Sequence, residues 1–427
     1  MSTFTVDRLP RATAWRFAFL LSQGGMSLLL FSVLAHVLPA GEFAPTAIAQ
    51  GVLVIAQAVS DFGLSQAAVI TLPSLLATRP QDRPDLMRGA SLIFIGGAAA
   101  AVVLVLLTVA VVSRGARLPV ALIAPASAMA VLVAGSDGML RAVGEFRRPV
   151  ILVSLSRAGA FLGVLGAATT GSASWTCACI SLGTVLASLP AIVLLVRRYR
   201  DGTRALTRDF ARTALPLGFG DLFTVAGGRM NTILLSAISG TATGAGFEGT
   251  WRLYQLSQYV VGGLVTGAAP FMAHALGAGR YRDLARILLR VGAITIFSGI
   301  VLGVGTYLLR NSISHLLFGS LSHQVAGAIG PLAVLTPLSF AGLLATIILA
   351  SSPGDRWAIV AASALGASIN LALVIVLAPA HGLRGATLAC AIGLGVTQIG
   401  LLLQLGRLMR RLSSGKVIST AKSRLSW

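Results

Sequence analysis

Twelve long apolar stretches run through the chain, and they limit its possible folds more than any other feature. Each is close to the about 20 apolar residues with which a helix crosses about 30 Å of hydrocarbon. Only helices and closed barrels satisfy every backbone polar group in lipid, and these stretches lack the alternation of barrel strands. The sequence therefore predicts an all-α integral membrane protein with twelve transmembrane helices. They are expected near residues 14–38, 45–72, 89–112, 118–140, 150–169, 174–196, 213–239, 247–276, 287–309, 327–350, 356–379 and 385–407.

The composition leaves no room for a soluble domain. Hydrophobic residues make up 56% of the chain and charged residues 11%, whereas soluble domains contain about 25% charged residues. The first helix follows Arg8, Arg11 and Arg16, but it is too long for a signal-peptide core and lacks a small-residue cleavage site. We therefore expect it to be retained.

The basic residues lie mostly on one side of the predicted helices. With both termini in the cytoplasm, 26 of the 33 Lys and Arg residues fall on the cytoplasmic side and 3 within helices. This asymmetry follows the positive-inside rule and predicts cytoplasmic termini. The net charge of +20 therefore orients the protein and contacts anionic lipid heads, and no nucleic acid partner is needed to explain it. The basic residues on the outer side are Arg114, Arg117, Arg310 and Arg384.

A charged segment, RRYRDGTRALTRDFAR, follows the sixth predicted helix. It divides the chain into two six-helix bundles at residues 1–196 and 213–409, joined by a basic cytoplasmic linker at 197–212 and followed by a basic tail at 410–427. Each half opens with a long helical hairpin whose second helix runs into a proline and a basic loop. Internal repeats of this kind are typical of secondary transporters, which bind substrate between the halves near the bilayer midplane. The sequence thus predicts a transporter.

Three of the predicted helices carry a polar stripe. The stripe covers a sector about 80° wide on helices two and seven and about 60° wide on helix eight. Because a charge facing lipid is expensive, we predict that the three stripes line a common wet cavity. The members are Gln50, Gln57, Asp61 and Ser65 on helix two, Asp221, Arg229, Thr232, Ser236 and Ser239 on helix seven, and Glu248, Arg252, Gln255, Tyr259 and Thr266 on helix eight.

Arg229 and Arg252 are the predicted binding residues for phosphate or an acidic sugar. Glu248 lies four residues before Arg252, so the two can pair along one helix face. Glu248, Asp221 and Asp61 are predicted to tune the arginines or to carry coupling protons. The alternative is that these charges form inter-helix pairs that only specify packing.

Gln255, Tyr259 and Asn231 are predicted as secondary contacts to a sugar. The five histidines form no i,i+4 pair and have no acidic neighbours at ligand spacing, so no metal site and no cofactor are expected. The three cysteines lie within predicted helices and indicate no disulfide framework.

Three segments of the sequence resemble a known family. They are LAHVLPAGEFAPTAIAQGVLVIAQAVSDFGLSQAAV at 34–69, LPLGFGDLFTVAGGRMNTILLSAISGTATGAGFEGTWRL at 215–253 and HGLRGATLACAIG at 381–393. In their order and spacing they resemble polysaccharide flippases of the Wzx type, within the multidrug/oligosaccharidyl-lipid/polysaccharide (MOP) exporter superfamily. The likeness covers nearly the whole chain, although each motif alone is weak.

The resemblance implies two six-helix bundles in a MATE-like V shape that opens alternately to each side of the bacterial inner membrane. It also implies a substrate made of an oligosaccharide on a polyprenyl diphosphate of the undecaprenyl type. The flippase would move this lipid from the cytoplasmic to the outer leaflet for assembly of lipopolysaccharide or exopolysaccharide. Membrane lipids and a polysaccharide polymerase are the implied partners.

Two related transporters and an enzyme are the alternatives. Multidrug antiporters of the superfamily resemble one another in an acid in the first membrane helix, and residues 15–38 contain none. Lipid II flippases are chemically closer but resemble a fourteen-helix plan. An enzyme would need acid–base or metal-binding carboxylates, and the longest predicted outer loop, at 310–326, has no Asp or Glu. We therefore expect no enzymatic activity.

Overall fold

A computed structural model describes residues 9–413 of the protein, apart from 70–71, 73–82, 111, 113, 168, 198–207, 278–279 and 353. Almost all of the described residues are helical. Most of the linker predicted at 197–212 and of the tail predicted at 410–427 lies outside the described residues. The domain boundaries therefore stay predictions.

Six long helices form the first half of the molecule. A 3-10 turn, Arg114–Ala116, and a short helix, Arg117–Leu122, precede the fourth of them and meet it at a bend of 45°. The bent pair replaces the single straight span predicted near 118–140. The six helices are α1 (Leu9–Val37), α2 (Ala40–Asp61), α3 (Arg83–Thr108), α4 (Ala124–Ala142), α5 (Arg147–Ala167) and α6 (Ala173–Arg197).

The second half contains six further spans. A helical stretch from Arg356 to Ser413 breaks at Gly382, whose φ of 53° and ψ of −131° are non-helical, and so supplies the last two. Short helices at Arg310–Phe318 and Ser322–Ala328 lie between the third and fourth spans of this half. The spans are α7 (Arg208–Ile238), α8 (Thr241–Gly277), α9 (Tyr281–Leu308), α10 (Gly330–Ser351), α11 (residues 356–381) and α12 (residues 383–413).

Two of the twelve helices are less apolar than the others. Among the described residues, eight helices are long and apolar enough to cross a membrane, or nine with the bent pair, when the stretch from Arg356 is counted once. α7 and α8 are not among them, because glycines, hydroxyl residues and charges lower their hydropathy. Helices of this composition need neighbours that shield their polar faces from lipid.

The two halves meet along four helices. Within the first half α5 packs on α6 and α3 on α4, and within the second half α10 packs on the stretch that contains α11 and α12. Between the halves, α1 packs extensively against α8, and α2 contacts both α7 and α8. The less apolar helices α7 and α8 therefore lie at the centre of the molecule, between the two bundles.

Helix α2 breaks where it contacts α7. Phe62 and Gly63 have positive φ values of 38° and 70°, and the chain is helical again over residues 64–69. A Cβ atom on Gly63 would lie 2.4 Å from the backbone nitrogen of Gly218, and one on Gly218 would lie 2.3 Å from the carbonyl oxygen of Phe62. The continuous helix predicted over 45–72 is wrong at this point, because two backbones meet here and the second helical segment needs its own start.

The change Gly218→Ala tests this contact. The added methyl group clashes with the α2 backbone, so we expect the free energy of unfolding to fall by about 1–3 kcal/mol. Thermal unfolding of the purified protein in detergent measures the loss. Gly96→Ala is the matched control, because a Cβ atom on Gly96 of α3 meets nothing within 4 Å. Equal melting temperatures for the two variants would show that the backbones do not meet at Gly218.

Candidate functional site

Two arginines and one glutamate form a buried ion cluster between α7 and α8. The Arg229 guanidinium donates a hydrogen bond from Nη1 to Oε1 of Glu248. Arg252 donates from Nε to the same oxygen at 2.9 Å, and the Thr232 hydroxyl donates to Oε2 at 3.1 Å. The side chains of Arg229, Glu248 and Arg252 are 4%, 0% and 4% exposed. We call these three residues the ion cluster.

Local structure explains why the cluster forms. α7 and α8 are joined by a tight turn at Gly240, whose φ is 91°, so they run antiparallel and bring Arg229 beside Glu248. Within α8, Glu248 and Arg252 are one helical turn apart and share a face. The predicted pairing of these two residues is therefore seen, and Arg229 has joined the pair.

The ion cluster also ties α8 to the first half of the molecule. Arg252 donates from Nη1 to the carbonyl oxygen and to the hydroxyl of Ser27 on α1, at 3.1 and 2.6 Å. Its guanidinium carbon lies 4.6 Å from the centre of the Phe31 ring, a cation–π geometry. The contact between α1 and α8 is thus partly electrostatic.

The ion cluster keeps one net positive charge, because two guanidinium groups face one carboxylate. A second positive charge lies nearby on α5. The Arg157 guanidinium is within electrostatic reach of Arg252 and Tyr259, and it makes no hydrogen bond or ion pair with any residue in the described part of the chain. The sequence left Arg157 open between a packing role and a functional role.

A cavity of about 380 Å³ lies beside the ion cluster, mainly among the helices of the second half. Of the predicted site residues, Gln255, Tyr259 and Asp221 line it. The Arg229 guanidinium donates from Nη2 to Oε1 of Gln255 at 2.6 Å. Gln255 therefore lies between Arg229 and the cavity. This bond uses the amide oxygen and leaves the amide hydrogens of Gln255 as donors toward the cavity.

Several predicted site residues lie away from the cavity. Arg229 and Arg252 are in the ion cluster and not on the cavity lining. Asn231 is fully buried and exchanges hydrogen bonds of 3.1 Å with Asn370 on α11. Asp61 accepts hydrogen bonds from the backbone nitrogen and hydroxyl of Ser65 after the α2 break, at 3.3 and 2.7 Å. These residues therefore lie off the lining of this cavity, because buried polar groups pair with one another. That the three stripes share one cavity stays a prediction.

Polar contacts also join the halves where α2 ends and α7 begins, which we call the linker end of the molecule. The Gln66 amide donates to both carboxylate oxygens of Asp221, at 3.1 and 2.9 Å. Arg16 of α1 donates to Asp137 of α4 at 3.4 Å and to the hydroxyl of Thr266 of α8 at 3.3 Å. Sequence reasoning assigned Arg16 only to the basic cytoplasmic side and missed these contacts, because its partners are far away in sequence.

No group of three or more His, Cys, Asp or Glu side chains could hold a metal ion in the described part of the chain. Cys177, Cys179 and Cys390 are free thiols. The arrangement therefore offers hydrogen bonds, aromatic faces and fixed charge, which are the means of a binding site.

Residues 11–276 match the model of a family described as polysaccharide biosynthesis protein. The chain belongs to this family. The match covers more than half of the sequence, and it confirms the predicted resemblance to polysaccharide flippases at the level of the family. No curated protein matches this polysaccharide biosynthesis protein significantly.

Solved structures of MOP transporters share the fold of this polysaccharide biosynthesis protein. An outward-facing multidrug resistance MATE family transporter superposes with a TM-score of 0.75 at 15% identity, over 96% of this chain and 99% of that chain. An inward-facing one gives 0.70 at 15% identity, over 94% and 99%. A MOP superfamily transporter from Pyrococcus furiosus gives 0.74 at 14% identity, over 95% and 96%. These matches confirm the predicted two-lobed, MATE-like fold of twelve helices.

Family and fold together describe a multi-pass membrane protein of the polysaccharide biosynthesis family that has the fold of MOP transporters. MOP transporters are not enzymes, in agreement with the prediction. The family associates the protein with polysaccharide biosynthesis.

Glu248→Gln tests the ion cluster. Without the carboxylate, two adjacent guanidinium groups remain buried and uncompensated, so we expect the free energy of unfolding to fall by about 3–5 kcal/mol. Thermal unfolding in detergent checks this, and adding Arg229→Gln should restore much of the loss by removing one of the two cations.

Glu145→Gln serves as the control for that measurement. Glu145 pairs with Arg148 at 2.9 Å where both side chains are partly exposed, and such a pair contributes about 0–1 kcal/mol. A Glu248→Gln variant as stable as Glu145→Gln would mean that the carboxylate does not hold the two arginines together.

Proposed function

We propose that this protein flips an oligosaccharide linked to a polyprenyl diphosphate, of the undecaprenyl type, from the cytoplasmic to the outer leaflet of a bacterial inner membrane. The observation that carries the proposal is the uncompensated positive charge beside a polar cavity, between two helical bundles. The ion cluster contributes one such charge, and Arg157 contributes another. A diphosphate is the anionic part of the proposed substrate, and its charges match this surplus.

The energetics support a positive path for the head group. Moving an unpaired charged group into bare hydrocarbon costs tens of kcal/mol by Born-type arguments. At an effective dielectric constant of 20, the attraction between one phosphate charge and a positive charge 4 Å away is about 4 kcal/mol. Two nearby positive charges therefore lower the cost of moving the diphosphate. The polar cavity supplies hydrogen bonds to the sugar, and the polyprenyl tail stays in the lipid between the halves.

The residues take different parts in the proposed mechanism. Arg157 is the arginine that is free to bind a phosphate oxygen. Arg229 and Arg252 do not line the cavity. They attract the head group through their charge, and Arg229 orients Gln255 through a hydrogen bond. Glu248 holds both arginines in place, and Gln255 contacts the sugar.

The remaining predicted site residues have other proposed roles. Tyr259 lies on the cavity lining and contacts the head group there. Asp221 and Asp61 lie at the linker end, where α2 and α7 meet, and they are the proposed carriers of coupling protons. Asn231 fixes α7 to α11 through Asn370 and makes no sugar contact.

Alternating access requires that the contacts between the halves open in turn. At the linker end, the rings of Phe62 and Phe219 lie 5.1 Å apart next to the Gly63–Gly218 contact. At the opposite end, the rings of Phe31 and Phe318 lie 6.1 Å apart. These ring contacts join the halves at both ends, so each must separate in turn for the head group to enter and leave.

The proposed orientation places the linker end in the cytoplasm, where the positive-inside rule puts most of the basic residues. Substrate then enters at the linker end and leaves at the end that carries the Phe31–Phe318 contact. A polymerase that takes up the flipped oligosaccharide on the outer side is the proposed partner.

The cavity itself favours one rival function, the export of cationic compounds. Asp221 is on the cavity lining, and a carboxylate beside aromatic side chains can bind a cation. Against this, the ion cluster and Arg157 place positive charge near the same cavity. Transport of a cationic dye therefore distinguishes the two functions.

Arg157→Gln tests the proposed function. We expect flipping of undecaprenyl diphosphate carrying one N-acetylglucosamine to slow by about tenfold or more in proteoliposomes, because a charge-assisted hydrogen bond to phosphate is lost. Arg157→Lys should retain part of the rate. Arg117→Gln removes the same charge from an exposed position on the short helix before α4, and it should flip like the parent.

The flipping assay can contradict either the role of Arg157 or the flippase function itself. Normal flipping by Arg157→Gln would remove Arg157 from the mechanism and leave the diphosphate without its proposed partner. A parent protein that leaves the lipid probe in place but exports ethidium would establish the rival function instead.

A further inference from the structure

Three side chains on the cavity lining carry buried polar atoms that have no hydrogen-bond partner in the structure. They are Nε1 of Trp251, Nε2 of Gln258 and Oε1 of Gln398. Two of these atoms are donors and one is an acceptor. Buried polar atoms are rarely left unpaired in proteins, because each unmade hydrogen bond costs free energy. Their side chains surround one cavity, so an occupant with both donors and acceptors could use the hydrogen-bonding groups that the protein leaves unpaired.

Further polar groups on the lining are already partly engaged. The Tyr254 hydroxyl donates to the Ser339 hydroxyl oxygen at 2.6 Å, and the Thr346 hydroxyl donates to the Gly342 carbonyl at 2.9 Å. Their hydroxyl hydrogens are used, but the oxygen lone pairs remain available as acceptors. The cavity thus presents both donors and acceptors, which suits the hydroxyl groups of a sugar.

Aromatic side chains form another part of the lining. The rings of Trp251 and Tyr254 lie 5.3 Å apart, and Tyr259 lies on the same lining. Such side chains combine an apolar face with a polar edge. A pyranose ring has the same division, with an apolar C–H face and a rim of hydroxyl groups. The volume of about 380 Å³ is in the usual range of about 300–1,000 Å³ for small-molecule pockets.

The charge of the lining favours an uncharged occupant over an anionic one. Among the described residues that line the cavity there is no Lys, Arg or His, and the one acidic residue is Asp221. An anion in such a pocket would lose its hydration and would meet no cation on the lining in exchange. The positive charges lie outside the lining, on Arg157 and in the ion cluster.

We propose that this cavity is the sugar subsite of the transporter and that it accepts an uncharged sugar, while the diphosphate lies outside it, toward Arg157. Tyr259 connects the two parts, because it lines the cavity and is within electrostatic reach of Arg157. This inference rests on the proposed function and adds the class of the sugar. It replaces the acidic sugar that the sequence allowed as a ligand of Arg229 and Arg252.

The test measures the binding of three lipids to the full-length protein in nanodiscs. They are undecaprenyl diphosphate alone, the same lipid with N-acetylglucosamine and the same lipid with glucuronic acid. We expect the N-acetylglucosamine lipid to bind about tenfold more tightly than the glucuronic acid lipid, since the acid loses its hydration and meets no cation on the cavity lining. Equal or tighter binding of the glucuronic acid lipid would overturn the inference.

A pair of variants locates the sugar. Gln258→Leu should weaken binding of the N-acetylglucosamine lipid by about tenfold and leave binding of undecaprenyl diphosphate unchanged, whereas Arg157→Gln should weaken both. Gln324→Leu makes the same chemical change at an exposed position and should bind both lipids like the parent. If Gln258→Leu weakens both lipids equally, the cavity binds the diphosphate and the inference is wrong.

A second measurement decides the matter even if Gln258→Leu does not fold. Thr346→Cys is placed on the cavity lining, with Cys177, Cys179 and Cys390 replaced by alanine, and its reaction with a water-soluble maleimide is timed. The N-acetylglucosamine lipid should slow the reaction, and undecaprenyl diphosphate alone should not. Equal protection by both lipids contradicts a sugar subsite but leaves the flippase proposal intact. If the parent binds none of the three lipids, the flippase proposal itself fails.

Discussion

The buried carboxylate of Glu248 is the interaction on which the centre of this molecule depends. It accepts hydrogen bonds from two arginines and a threonine, and it is completely buried. A single arginine in the middle of a membrane helix is expensive, and two side by side also repel each other. Glu248 compensates one of the two charges. The less apolar helices α7 and α8 can therefore lie at the centre of a membrane protein.

The same ion cluster connects stability to transport. Arg252 reaches across to Ser27 and Phe31 of α1, so the two halves are held together by a charged group near the cavity. Arg229 reaches Gln255 on the cavity wall. A substrate that contacts Gln255 can thus influence the charges that hold the halves, which offers a physical route from binding to the opening of an end. In the proposed function, the surplus positive charge attracts the anionic head group of the substrate toward the centre of the molecule.

Much of the fold could be predicted, and less of the site. The twelve apolar stretches gave the twelve helices within a few residues, except at the α2 break and at the bend before α4. The i,i+4 spacing gave the Glu248–Arg252 pair. Four members of the predicted site lie off the lining of this cavity and pair with other polar groups: Arg229, Arg252, Asn231 and Asp61. A polar residue in a membrane helix can be shielded from lipid by a polar side chain on another helix as well as by water. The sequence does not show which side chain that is.

The sequence by itself determined the helices, their number and the presence of charged faces on α7 and α8, because hydropathy and helical period are local properties. Apart from the Glu248–Arg252 pair, tertiary structure alone decided which charges are paired and which stay free. Arg229 pairs with Glu248 on the next helix, whereas Arg157 has no hydrogen-bond or ion-pair partner among the described residues. It also decided that the unpaired polar atoms of Trp251, Gln258 and Gln398 surround one cavity. Such groupings join residues far apart in sequence, and only the packing of the helices brings them together.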